Sequence, residues 1–95
     1  MKLILAIIRD DYAADVLAAL TEEGISATRI SSTGGILRRG YVTLMIGVDD
    51  EAVDRTLDVI NASAGPTPDP TGADAAHPPR RATVFVLDVS AFEHY

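Results

Sequence analysis

The chain has 95 residues, enough for one hydrophobic core and too few for two. Fourteen acids against eight bases leave a net charge of −6, a surface that repels a phosphate backbone and argues against general nucleic-acid binding. Cysteine is absent, which excludes disulfides and thiolate chemistry, and no run approaches the ~20 apolar residues that would insert into a bilayer.

Leu3 to Ile8 is apolar without alternation, which predicts a strand covered on both faces. Arg9-Asp10-Asp11 ends this run, and no small-residue cleavage site follows. It therefore reads as a strand of a cytoplasmic protein rather than a signal peptide. Asp10 or Asp11 is placed to cap a helix whose stripe is Ala13, Val16, Leu17 and Leu20. Gly24 fits the left-handed position that closes such a helix. Ile25 to Ser32, rich in β-branched residues, predicts a second strand.

The stretch from Ser31 to Thr43, SSTGGILRRGYVT, organises the rest. Gly34 and Gly35 are adjacent, Ile36-Leu37 and Arg38-Arg39 follow, and Gly40 closes the run. Successive backbone N–H groups in such a loop form an anion-binding concavity, to which the arginines add charge. The plainer reading is a connection between two strands with a solvated tip. Arg80-Arg81 is a second basic pair, also beside a predicted strand.

Val42 to Val48 reads as a third strand, with Gly47 predicting a bulge or a close backbone approach. Asp49 and Asp50 are placed to cap a second helix with the stripe Val53, Leu57 and Ile60. Residues 62–79 hold all five prolines, two glycines and no apolar residue larger than alanine. That composition predicts a flexible loop, with His77 solvated inside it. Ala82 to Val89 is a fourth strand and Ser90 to Tyr95 a short tail.

The order β-α-β-β-α-β predicts a single α+β domain with a ferredoxin-like fold, a four-stranded antiparallel sheet carrying two helices on one face. Nothing in so short a chain is left to cover the other face, so self-association is expected to close it. An enzyme needs a nucleophile–base pair, paired carboxylates in a cleft or a metal cluster, and the sequence offers none, so no catalytic residue, cofactor or metal ligand is assigned. An RNA-recognition domain shares the strand order but reads bases with sheet-face aromatics. The five aromatics are Tyr12, Tyr41, Phe85, Phe92 and Tyr95, and Phe85 alone falls within a predicted strand.

The start MKLILAIIRD, the segment TGGILRRG at Thr33 to Gly40, TLMIGVDD at Thr43 to Asp50 and ATVFV at Ala82 to Val86 resemble the PII-like cyclic-di-AMP receptor family. The resemblance spans residues 1–62 and 80–95 and implies a cytoplasmic, non-enzymatic homotrimer that binds dinucleotides in clefts between subunits and signals through loop movement. Carried over by position, it implies ligand contacts at Thr28, Gly35, Ile36, Leu37 and Gly47. Arg38 is then a candidate partner for a phosphate, and Tyr41 for stacking on a base. The family has phenylalanine where Ile36 stands, asparagine at Tyr41 and arginine at Ser26. The resemblance thus leaves three functional readings: a cyclic-di-AMP sensor, a sensor of ATP or another nucleotide, and a trimeric protein–protein adaptor without the dinucleotide site.

Overall fold

The computed structural model describes residues 1–30, 40–66 and 81–95. The described residues form four strands: β1 (Lys2–Arg9), β2 (Ala27–Ile30), β3 (Tyr41–Val48) and β4 (Ala82–Asp88). Two helices join them, α1 (Ala13–Glu22) and α2 (Val53–Ser63). The sheet order is β2-β3-β1-β4 and every pairing is antiparallel, so the predicted β-α-β-β-α-β α+β fold is present.

Alternation divides the sheet into two faces. Ile4, Ala6 and Ile8 of β1 and Val42, Leu44, Ile46 and Val48 of β3 are buried beneath the helices. Ala13, Val16 and Leu20 of α1, with Thr56 and Ile60 of α2, complete this core. Each large aliphatic group enclosed there contributes about 1.5–3 kcal/mol relative to exposure. The opposite parity, Leu3, Leu5 and Ile7, is only half-buried. Phe85 at 52% exposure and Leu87 at 45% lie on that same open face.

Three sequence expectations change. Neither Asp10 nor Asp11 caps α1, and neither Asp49 nor Asp50 caps α2, because no cap residue makes a side-chain capping bond. A 3₁₀ turn (Asp10–Tyr12, Asp50–Ala52) precedes each helix, and the carboxylates turn elsewhere. Asp10 Oδ1 accepts from Arg29 at 2.8 Å, and Asp50 Oδ1 lies 2.9 Å from the Met1 ammonium. Gly47 forms no bulge: β1 and β3 pair in unbroken register from Lys2–Val48 to Arg9–Tyr41. Finally, α2 runs through Ser63, so Ala62 and Ser63 are helical rather than loop. Most of the proline-rich segment, residues 67–80, lies outside the described residues.

Gly24 behaves as its position implies. Its φ is +74°, its N–H donates to the Thr21 carbonyl at 2.9 Å, and the Ile25 N–H donates to Leu20 at 2.9 Å. This pair of bonds is a Schellman closure, and it delivers the chain to β2 with Ile25 packed on the core.

Candidate functional site

The open face forms a recess at the end of β3 that leads into α2. Leu3 of β1 and Gly47 of β3 are register partners, as are Thr28 of β2 and Met45 of β3. These residues share one parity and form the floor of a cavity of about 520 Å³. Ser26 and Thr28 supply hydroxyls to its wall. The tail returns across it: the Val89 N–H donates to the Met1 carbonyl at 3.2 Å, and Phe92 and His94 reach the cavity beyond. Their rings lie 6.4 Å apart and inclined at 42°. The recess is therefore mainly apolar, with two hydroxyls and an imidazole at its edge.

Gly47 keeps the recess open. A β-carbon there would meet the Met1 Cε at 3.3 Å, so a side chain at this position competes with Met1 for the same space. The close approach read from the sequence is thus that of a side chain, not of another backbone.

A second cavity, of about 370 Å³, adjoins the first and shares Met1, Ser26 and Gly47 with it. Its remaining wall is more polar and includes Glu23, Gly24, Asp49 and Arg55. The Arg55 guanidinium is paired with the Glu23 carboxylate. Asp50 lies close by, its carboxyl held below the usual range by a hydrogen bond from the Met1 ammonium and by that group's charge. At the next position along β1, the Lys2 ammonium is raised by its hydrogen bond to Asp88 and by that carboxylate's charge.

Of the residues singled out from sequence, Thr28 and Gly47 are brought together. Tyr41 is not with them: it begins β3, six residues before Gly47, which at strand rise is about 20 Å away. Gly35, Ile36, Leu37 and Arg38 lie outside the described residues. Arg29, a neighbouring cation, belongs to the other face; alternation separates it from Thr28, and its guanidinium is engaged by Asp10. Met1, Leu3, Met45, Phe92 and His94 are lining residues that sequence reasoning passed over. Parity with Gly47 marks Leu3 and Met45, whereas no periodic signal marks the tail.

Among the described residues no group of three or more histidine, cysteine, aspartate or glutamate side chains is arranged to hold a metal ion. None of the described helices is long and apolar enough to cross a membrane.

The model of the cyclic-di-AMP receptor family matches residues 1–67, which include Thr28, Gly47 and three of the four strands. The chain belongs to the cyclic-di-AMP receptor family. The family is thus one of receptors, as the sequence resemblance implies. The crystal structure of a functionally unknown protein from Pediococcus pentosaceus ATCC 25745 is similar over nearly the whole chain. It is 31% identical, superposes with a TM-score of 0.73, and the match covers 99% of this chain and 96% of that one. The structural likeness therefore extends past the family match, through β4 and the tail that carries Phe92 and His94.

Proposed function

We propose that the protein is a cytoplasmic signalling receptor that binds cyclic-di-AMP at the cavity on Thr28 and Gly47. The observation that carries this reading is the meeting of those two residues in one mainly apolar recess of about 520 Å³, in a chain of the cyclic-di-AMP receptor family. That volume suits part of a dinucleotide, one adenosine and its phosphate, so the remainder extends to a neighbouring subunit. Thr28 offers a hydroxyl, and the bare backbone at Gly47 admits a flat base. Gly35, Ile36 and Leu37 contribute backbone N–H groups and apolar contact, Arg38 meets a phosphate, and Tyr41 contacts the ligand part held by a neighbour. Phe92 and His94 supply aromatic surface that Ile36 lacks.

The same reading makes the protein a homotrimer. Outside the cavity the open sheet face presents Leu5, Phe85 and Leu87, and association of three copies removes that part of the face from water. Loop movement on binding passes the signal to a protein partner.

Isothermal titration with cyclic-di-AMP, with ATP and cyclic-di-GMP alongside, tests the proposal. Micromolar or tighter binding near one dinucleotide per chain, on a protein that elutes as a trimer, is expected. Binding of ATP alone reassigns the ligand. A folded trimer giving no heat with any of the three favours the second reading, a protein–protein adaptor. Its support is Ser26, which gives the wall a hydroxyl instead of a cation.

A further inference from the structure

Both methionines of the chain, Met1 and Met45, line one cavity, the same that holds Thr28 and Gly47. In the single chain Met1 is 44% exposed and Met45 39%, and both border the cavity through which a small solute would reach them. Met45 stands opposite Thr28 in register, and the Met1 methyl carbon comes within 3.3 Å of where a side chain at Gly47 would begin. The chain has no cysteine, so no thiol competes with these sulfurs for an oxidant.

The geometry points to a methionine oxidation site: a peroxide converts Met1 and Met45 to sulfoxides, and the change weakens nucleotide binding in the cavity. The inference rests on the reading that this cavity takes the nucleotide. A sulfur lone pair attacks one peroxide oxygen and the O–O bond breaks. That oxygen stays on sulfur as the sulfoxide, and the other leaves as water once protonated. The sulfur gives up an electron pair and the peroxide accepts it, so no further reactant is required.

The consequence follows from what surrounds the sulfurs. A thioether is a soft apolar contact for a base, whereas a sulfoxide carries a strong dipole and an acceptor oxygen. The donors the cavity offers are Ser26, Thr28 and His94, the groups a ligand would use, so the added acceptor oxygen competes with the ligand for them. A base seated against it either strips the oxygen of water without replacing the hydrogen bond or is held away from the floor. At Met1 the added oxygen also crowds the opening over Gly47. The reaction is reversible by a methionine sulfoxide reductase, so the device is a switch and not only damage.

The test treats the purified protein with hydrogen peroxide, removes the excess, maps the peptides by mass and titrates cyclic-di-AMP beside untreated protein. Both methionine peptides are expected to gain one oxygen atom while the circular dichroism spectrum is kept. Affinity is expected to fall about tenfold or more and to return after reductase treatment. Met45→Leu protein should lose less affinity on the same exposure. Full oxidation of both residues with unchanged affinity overturns the inference and leaves the binding reading intact. No heat from untreated protein overturns the binding reading itself and the inference with it. If oxidation unfolds the protein, Met45→Gln supplies a polar head without an oxidant, and affinity equal to the parent's overturns the inference.

Discussion

Arg81 reaches back across the chain to Gly65, donating from Nε to its carbonyl at 2.8 Å. The same guanidinium donates to the Asn61 side chain at 2.8 Å and to the Asn61 backbone carbonyl. One arginine thus fixes the residue before β4 to the end of α2, across the interval that includes residues 67–80. A planar fork with several donors suits three acceptors set at different angles, which a single ammonium cannot reproduce.

Replacing Arg81 with alanine leaves those carbonyls without this partner. The Gly65 contact is half-buried and the two Asn61 contacts are exposed, so the expected loss is about 1 kcal/mol of unfolding free energy. Arg81→Lys should recover only a fraction of it. Urea denaturation of the two variants checks this, and equal midpoints for lysine and arginine would show that charge alone matters.

Gly65 is constrained from a second side. Its φ is +95°, and a β-carbon there would stand 2.6 Å from Tyr12 Cε2. Gly65→Ala therefore combines an unfavourable backbone, about 1–2 kcal/mol, with overpacking of about 1–3 kcal/mol. Pairing it with Tyr12→Ala relieves only the overpacking. A double-mutant cycle on unfolding free energies separates the two parts, and strict additivity would exclude the steric component.

The acidic limb of stability carries a signature at Asp50. The Met1 ammonium lowers its pKa in the folded state, so the unfolded chain binds a proton more readily there. The contribution is present above the unfolded carboxylate value, and it fades as the pH falls through the lower folded value. An NMR titration should find the Asp50 midpoint below 3.8, and Asp50→Asn should reduce the slope of stability against pH in that acid range. The Asp50 side chain is largely exposed, so the effect on overall stability is small.

Thr28→Val keeps the shape of the side chain and deletes the hydroxyl at the cavity wall. If the hydroxyl bonds the ligand, affinity for cyclic-di-AMP should fall about tenfold, with the melting temperature little changed. Calorimetry on the variant decides the point, and unchanged affinity removes Thr28 from the contact set.

The strand and helix order was readable because each element carries its own periodic signal. Val16 and Leu20 keep helical spacing, Leu3 to Ile8 of β1 is uniformly apolar, and Gly24 marks a helix end with one residue. Helix starts were less legible: Asp10 and Asp50 have capping chemistry, yet their ion partners, Arg29 and the Met1 ammonium, come from elsewhere in the chain. Thr56 is fully buried on α2 because its hydroxyl donates to the Ala52 carbonyl at 2.8 Å, a local bond that hides polarity from any hydropathy pattern. The cavity was half legible. Thr28 and Gly47 stand out within strands, whereas the tail reaches the floor through one long-range bond, Val89 to Met1. No local signal in Ser90 to Tyr95 encodes that bond.

Gly47→Val gives the sharpest separation of fold from site. The residue sits in a regular strand, φ there is not positive, and valine suits β backbone, so the sheet itself accepts the change. The new side chain instead projects into the recess, where its β-carbon is already 3.3 Å from the Met1 methyl and its γ-carbons reach further. Met1 has a flexible side chain and can retreat, but only into the space a base needs. The expected outcome is a protein with a native spectrum, an unchanged elution volume and no measurable heat with cyclic-di-AMP. Binding at the parent's affinity would move the ligand off this part of β3 and confine any site to the 31–43 segment.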